Sequence, residues 1–115
     1  MEIGIDIEEN IRFKDFSDKK LNRIFTENEI NYAKMFADSE NHFCSFWCVK
    51  EATVKAFSNK SINFKDIEIS HTKDGKPFIV KNETILNELK KLNCTEIKIS
   101  ISHSKTHSTA VCLIY

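Results

Sequence analysis

Apolar and polar positions along this chain follow two periods. Ile3, Ile5 and Ile7 fall on every second position, so the first seven residues read as a strand. A polar turn from Asn10 to Lys14 interrupts the pattern. Ser17 then stands as N-cap to a short helix carrying Leu21, Ile24 and Phe25. Thr26-Glu27-Asn28-Glu29 has capping-box spacing ahead of a helix with Ile30, Ala33, Phe36 and Ala37 on its apolar side. Ser39 is the next cap candidate, opening a long helix through Phe57 that contains no Gly or Pro. Ser58-Asn59-Lys60-Ser61 is the break after it.

The second half returns to period two. Ile67-Glu68-Ile69-Ser70 and Pro77-Phe78-Ile79-Val80 form a hairpin about the Asp74-Gly75 step. Asn82 caps a helix expected to turn Ile85, Leu86, Leu89 and Leu92 inward. Ile97, Ile99 and Ile101 then alternate with Lys98, Ser100 and Ser102 in a half-buried strand that runs into His103. Ser104-Lys105-Thr106 turns the chain into a last strand, Ser108 to Tyr115. The expectation is an α+β fold: one mostly antiparallel sheet packed with a long central helix and shorter helices.

Length and charge narrow the partners. A chain of 115 residues is expected to form a single domain, 1–115. Its 17 basic and 17 acidic residues cancel, so no overall field points to nucleic acid or to a membrane surface. No apolar run has membrane-spanning length and the N-terminus has no signal-peptide pattern, so a cytoplasmic protein is expected. The four cysteines contain no C-x-x-C pair and read as free thiols. Zinc at Cys44, Cys48 and a histidine lacks a second ligand pair of finger-like spacing.

Three features carry candidate chemistry. Asp6 and Glu8 project from one side of the first strand, opposite the isoleucines, as a solvent-facing edge or as half of a hard-cation site. At about 100° per residue, Glu51 and Lys55 share one helical face with Cys44 and Cys48, flanked by Phe43, Trp47, Val54 and Phe57. On spacing alone they are a surface pair contributing a few tenths of a kcal/mol. Ser102-His103 ends a strand, where a histidine commonly bonds to backbone.

Taken together, these pieces resemble the 4'-phosphopantetheinyl transferases. Gly4-Ile5-Asp6 matches that family's Gly-x-Asp strand. After forty intervening residues, Trp47-Cys48-Val49-Lys50-Glu51-Ala52 and Lys55 match its aromatic-x-x-Lys-Glu-Ala helix with a further lysine one turn on. Gly75-Lys76-Pro77 and Ile99-Ser100-Ile101-Ser102-His103-Ser104 match its Gly-Lys-Pro turn and Ser-x-Ser-His strand end, in the family's order. Length points to the short, single-domain branch, the holo-acyl-carrier-protein synthases.

The resemblance implies a phosphopantetheinyl transferase-like fold and an Mg²⁺-dependent transferase of fatty acid and lipid metabolism, with a specialised-product pathway as the alternative. It would move the phosphopantetheine arm of coenzyme A onto a serine of an apo acyl or peptidyl carrier protein, releasing 3',5'-ADP. Asp6 and Glu51 match the family's metal-binding carboxylates. Glu51, its metal-bound water or Lys55 would accept the serine proton, the first two preferred, with Lys55 holding phosphate charge. Lys50, Lys76, Ser102 and His103 carry over as coenzyme A contacts, His103 near a phosphate of the nucleotide end. Arg12 falls where the short branch places an arginine that grips the acidic helix of the carrier. A homotrimer with sites between subunits is expected.

The sequence departs from the short-branch pattern at three places. Glu8 is typical of the longer, surfactin-synthetase-type enzymes and is expected as a third metal ligand. Phe46 stands where an arginine often precedes the aromatic residue. Ser58-Asn59-Lys60 replaces a frequent Gly-Thr-Gly loop, with Lys60 as a compensating cation. Two other readings compete: a non-catalytic relative that binds coenzyme A or the carrier, and a homo-oligomeric structural domain.

Overall fold

A computed structural model describes the whole chain, Met1–Tyr115. The fold is α+β. Strand β1 (Glu2–Glu9) leads through a 3-10 turn (Asn10–Phe13) to helices α1 (Asp18–Ile24), α2 (Glu27–Ala33) and α3 (Ser39–Phe57). A second 3-10 turn (Phe64–Asp66) precedes the hairpin β2 (Ile69–His71) and β3 (Pro77–Ile79). Helix α4 (Glu83–Lys91) and the long hairpin β4 (Ile97–His103) and β5 (His107–Ile114) complete it. The strands form one antiparallel sheet in the order β1-β5-β4 and a separate pair β2-β3.

Local chemistry explains most of the boundaries. Ser17 accepts from the Lys20 amide at the start of α1, and Asn82 does the same for Ile85 at the start of α4. Thr26 and Glu29 close the capping box of α2, each side chain accepting from the other's amide. Gly75 takes φ +86 in the β2–β3 turn, a value that suits glycine. Helix α3 ends on Ser58 in the left-handed region, which turns the chain sharply beside Lys55.

Helix α3 lies on the inner face of the β1-β5-β4 sheet. Its buried residues, among them Phe43, Phe46, Val49, Ala52, Ala56 and Phe57, anchor one continuous core of 24 residues. The approach to β1 is so close that a Cβ on Gly4 would stand 2.0 Å from the Ala52 carbonyl oxygen and 2.8 Å from the Ala56 nitrogen. A buried polar chain fastens the other end of β1. There the Ser108 hydroxyl donates to Asn10 Oδ1 at 2.6 Å, and Asn10 Nδ2 donates to the Ser104 carbonyl at 3.1 Å. No helix is long and apolar enough to cross a membrane.

Several expectations are corrected. Ile3, Ile5 and Ile7 lie on the outer sheet face, each about two-thirds exposed, while Gly4, Asp6 and Glu8 turn toward α3. The alternation was real; its inward phase belongs to the glycine, because only that face lets the helix seat. Helix α2 stops at Ala33, leaving Phe36 beyond it and partly exposed. Asp38 rather than Ser39 is the N-cap of α3, without a side-chain bond. In α4, Ile85 and Leu89 are buried but Leu86 is half exposed. The cysteines, by contrast, are as expected: all four are free, and burial pushes the Cys112 thiol up to about 11.

Candidate active site

The sheet order separates two groups of polar residues. β1 and β4 lie on either side of β5, about 10 Å apart, and α3 runs between them over the inner face. Along the β1 edge stand Asp6, Glu8, Arg12, Trp47, Glu51 and Lys55. Along the β4 edge stand His103 and the residues around it. On α3, Phe46 and His42 are rotated about 140° and about 180° from Glu51, so they serve the opposite flank.

At the β1 edge, Lys55 Nζ donates to Asp6 Oδ1 at 3.1 Å and to the Ile5 carbonyl at 2.9 Å. Lys55 thus reaches across to the strand and bonds Asp6, whereas spacing alone pairs it with Glu51. Glu51 sits on a cavity of about 570 Å³ together with Lys55, Ser58, Lys60 and Phe64. Burial, then the Asp6 charge, pushes its carboxyl above the ordinary glutamate value, with Lys55 and Arg12 opposing. The site holds two carboxylates, one of them short of positive charge, beside two lysines. That composition suits a hard divalent cation and a polyphosphate.

Glu8 is engaged elsewhere. It accepts from the Glu9 amide at 2.9 Å and from the Arg12 guanidinium, and these bonds hold its carboxyl below the usual range. No three His, Cys, Asp or Glu side chains converge into a metal cage. Asp6 and Glu51 are therefore the carboxylates that fit a metal, with the remaining positions open to water and phosphate. Arg12 also lies over the Trp47 ring, 4.3 Å from its centroid, and stays partly exposed beside the carboxylates.

Lys50 does not reach this surface. It is fully buried, donating to the Phe64 and Ile67 carbonyls at 2.7 Å each and pairing with Glu29 at 2.9 Å. Glu29 in turn accepts from the Ile69 and Thr26 amides. The expected coenzyme A contact at Lys50 is instead an ion pair tying α2 and the turn before β2 to α3. Burial lowers the Lys50 pKa, against the raising effect of Glu29.

At the β4 edge a cavity of about 290 Å³ is lined by Tyr32, His42, Phe46, His71, Lys76 and His103, among others. Lys76 and His103 meet here as expected. Ser102 does not line this cavity: it pairs with Thr109 and is exposed, although Ser100, two residues earlier on the strand, is part of the lining. His42 and His71 join it from α3 and β2. No sequence motif singles them out, since they come from elements whose meeting only the tertiary fold decides.

Comparison with known proteins agrees with this arrangement. Residues 2–112 match the family described as the 4'-phosphopantetheinyl transferase superfamily. A holo-[acyl-carrier-protein] synthase from Hydrogenobaculum sp. is 39% identical over 97% of this chain and 94% of its own length. Two solved structures are also close. The Helicobacter pylori holo-[acyl-carrier-protein] synthase in complex with coenzyme A aligns with a TM-score of 0.83 and 30% identity, covering 98% of this chain and 99% of that one. A Bacillus anthracis holo-(acyl-carrier-protein) synthase in complex with CoA (3',5'-ADP) aligns at 0.80 and 32% identity, covering 98% and 94%.

Proposed function

Because the chain belongs to the 4'-phosphopantetheinyl transferase superfamily, we propose that it transfers phosphopantetheine from coenzyme A to a serine of apo acyl carrier protein, as a holo-[acyl-carrier-protein] synthase of fatty acid biosynthesis. The observation that carries the reading is the meeting of Glu51, Lys55 and Lys60 at one cavity, with Asp6 bonded to Lys55 beside it. A pyrophosphate needs its charge neutralised there, and an attacking hydroxyl needs a proton acceptor.

Asp6 and Glu51 would hold Mg²⁺, which supplies charge neutralisation at the pyrophosphate when bound. The carrier serine oxygen attacks the phosphorus that bears the pantetheine arm; the bond to the 3',5'-ADP oxygen breaks, and the serine proton leaves. Glu51, or a water held beside it, is the proton acceptor this chain offers at that edge. Lys55 and Lys60 hold the charge that develops on the leaving phosphate. Arg12, stacked on Trp47 at the same edge, stands ready for an acidic face of the carrier. Lys76 and His103 hold the nucleotide end.

The separation of the two edges supports a homotrimer. Within one subunit α3 and β5 stand between Asp6 and His103, so one coenzyme A is best held by the β1 edge of one subunit and the β4 edge of its neighbour. The outer sheet face supplies the contact: Ile3, Ile5 and Ile7 are exposed there, with Val111 and Leu113 beside them on β5.

The test is incubation with Mg²⁺, coenzyme A and apo acyl carrier protein, followed by mass spectrometry of the carrier. A phosphopantetheine mass increment that disappears with EDTA is the expected result. Coenzyme A binding without any increment across several carriers would leave a non-catalytic binding protein instead.

A further inference from the structure

Three of the chain's four histidines gather at the β4 edge, on the flank opposite Asp6 and Glu51. The His42 ring stacks on Phe36 at 4.1 Å between centroids and lies 6.5 Å from His103. His71 stacks on Tyr32 at 3.8 Å, with only 6° between the ring planes. Phe46 closes the group, 5.8 Å from His71 and 6.0 Å from Tyr32. Four elements thus deliver nitrogen-bearing rings, one lysine and flat apolar walls to a single small cavity.

The charges around it are few. Lys76 lines the cavity, and Asp38 is the one carboxylate in contact, 3.5 Å from His42 Nε2. Burial is the main influence on His42 and on His71, and it lowers both; Asp38 raises His42, while His103 lowers it. Lys76 is the one fixed cation among the residues that line the cavity. A ligand that brings two negative charges would be met by imidazoles able to donate N–H bonds and to take up a proton as it binds.

We propose that His42 and His71 are specificity-determining residues that, with His103 and Lys76, hold a phosphomonoester dianion on a nucleotide, the 3'-phosphate of coenzyme A. This rests on the transferase reading only for the identity of the ligand. The stacked rings set the imidazoles in place, and Tyr32 and Phe46 offer flat surfaces beside them. The histidines thereby add to Lys76 a positive charge that depends on pH. Coenzyme A and its product 3',5'-ADP carry this phosphate; 3'-dephospho-coenzyme A and 5'-AMP do not.

The sign follows from linkage. His42 and His71 lie below their ordinary values in the free protein, and a bound dianion raises them. Above the second phosphate pKa of about 6, where the ligand is a dianion, its affinity therefore declines as pH rises from the free to the bound histidine values.

Calorimetry with 3',5'-ADP and 5'-AMP between pH 6.5 and 8.5 tests the proposal without needing turnover. The full chain is expected to prefer 3',5'-ADP, with a preference that shrinks as pH rises. The variants H42F and H71F keep the flat stacked rings but lose the ring nitrogens. Each is expected to reduce the preference at pH 6.5 by about tenfold and to flatten its pH dependence. A preference that H42F/H71F leaves intact at every pH overturns the proposal. So does an equal loss for both nucleotides, because that is the mark of a merely structural stack. An absent phosphopantetheine transfer with the histidine-dependent preference intact would overturn the transferase reading and leave this one standing.

Discussion

The Lys55 ammonium lies 3.1 Å from the Asp6 carboxylate, joining the end of α3 to β1 across 49 residues of sequence. It leaves Glu51, one turn earlier on the same helix, without an ion-pair partner of its own. Glu51 is accordingly the carboxylate whose charge the fold disfavours, through burial first and Asp6 second. A divalent cation or a substrate proton would relieve that disfavour. The site stores a demand for positive charge where the chemistry would supply it.

Glu51→Gln should therefore separate function from stability. Transfer is expected to fall by about 10²–10⁴-fold, the usual size of a lost general base. Stability without metal should move the other way at neutral pH. A carboxyl whose folded pKa is raised stabilises the fold fully below its unfolded value and loses that contribution as pH rises through the folded value. Thermal melts in EDTA should show the variant melting above the parent at pH 7, with the gap closing toward pH 4. A lower melting point at pH 7 would contradict this electrostatic assignment.

Gly4→Ala tests the seat of α3. The new methyl would meet backbone atoms of Ala52 and Ala56, which have no rotamer to give way. Overpacking of this kind costs about 1–3 kcal/mol and at times more. Urea unfolding should shift to lower midpoint, and transfer should fall because Asp6, two residues on, moves relative to Glu51. A midpoint unchanged within error would mean that the strand and helix are less tightly joined than the geometry indicates.

The fate of Lys50 gives a third expectation. Removing one member of a buried ion pair strands the other, at a cost of about 3–5 kcal/mol. Lys50→Met should show that loss in unfolding, while the coenzyme A affinity of the folded fraction stays unchanged. Lys50→Met combined with Glu29→Leu should recover part of the stability. A variant with normal stability and weakened coenzyme A binding would restore the surface role expected from the motif.

How far the sequence could be read differs from residue to residue. Thr26, Ser17 and Asn82 announce helix starts because caps are local chemistry. The Asp6–Glu51 pairing is legible because a motif records it. Period two located β1 but not its phase, which depends on Gly4 admitting a helix that approaches from far along the chain. Lys50 and Glu29 look like surface residues, and only a meeting across 21 positions makes their burial tolerable. His42 and His71 lie outside every motif, and the fold alone brings them to one cavity.

The exposed isoleucines lead to the last prediction. Ile3, Ile5 and Ile7 stand in a row on the outer face of β1, beside Val111 and Leu113 on β5. An apolar strip of this size on a charged surface marks a contact with another protein. The two proposed halves of the coenzyme A site lie on opposite edges of the same sheet, so copies of this chain are the occupants that would also complete the site. Ile5→Arg removes apolar area at the centre of the strip and places like charges together in a symmetric assembly, without touching α3 or the core. Light scattering is expected to report a trimer for the parent and a monomer for the variant, both with the same helical content by circular dichroism. Transfer activity should be lost along with the trimer, although Asp6, Glu51 and Lys55 remain in place within each subunit. A monomeric variant that retained full activity would show that one subunit alone can hold coenzyme A, and the trimer would lose its role in the site.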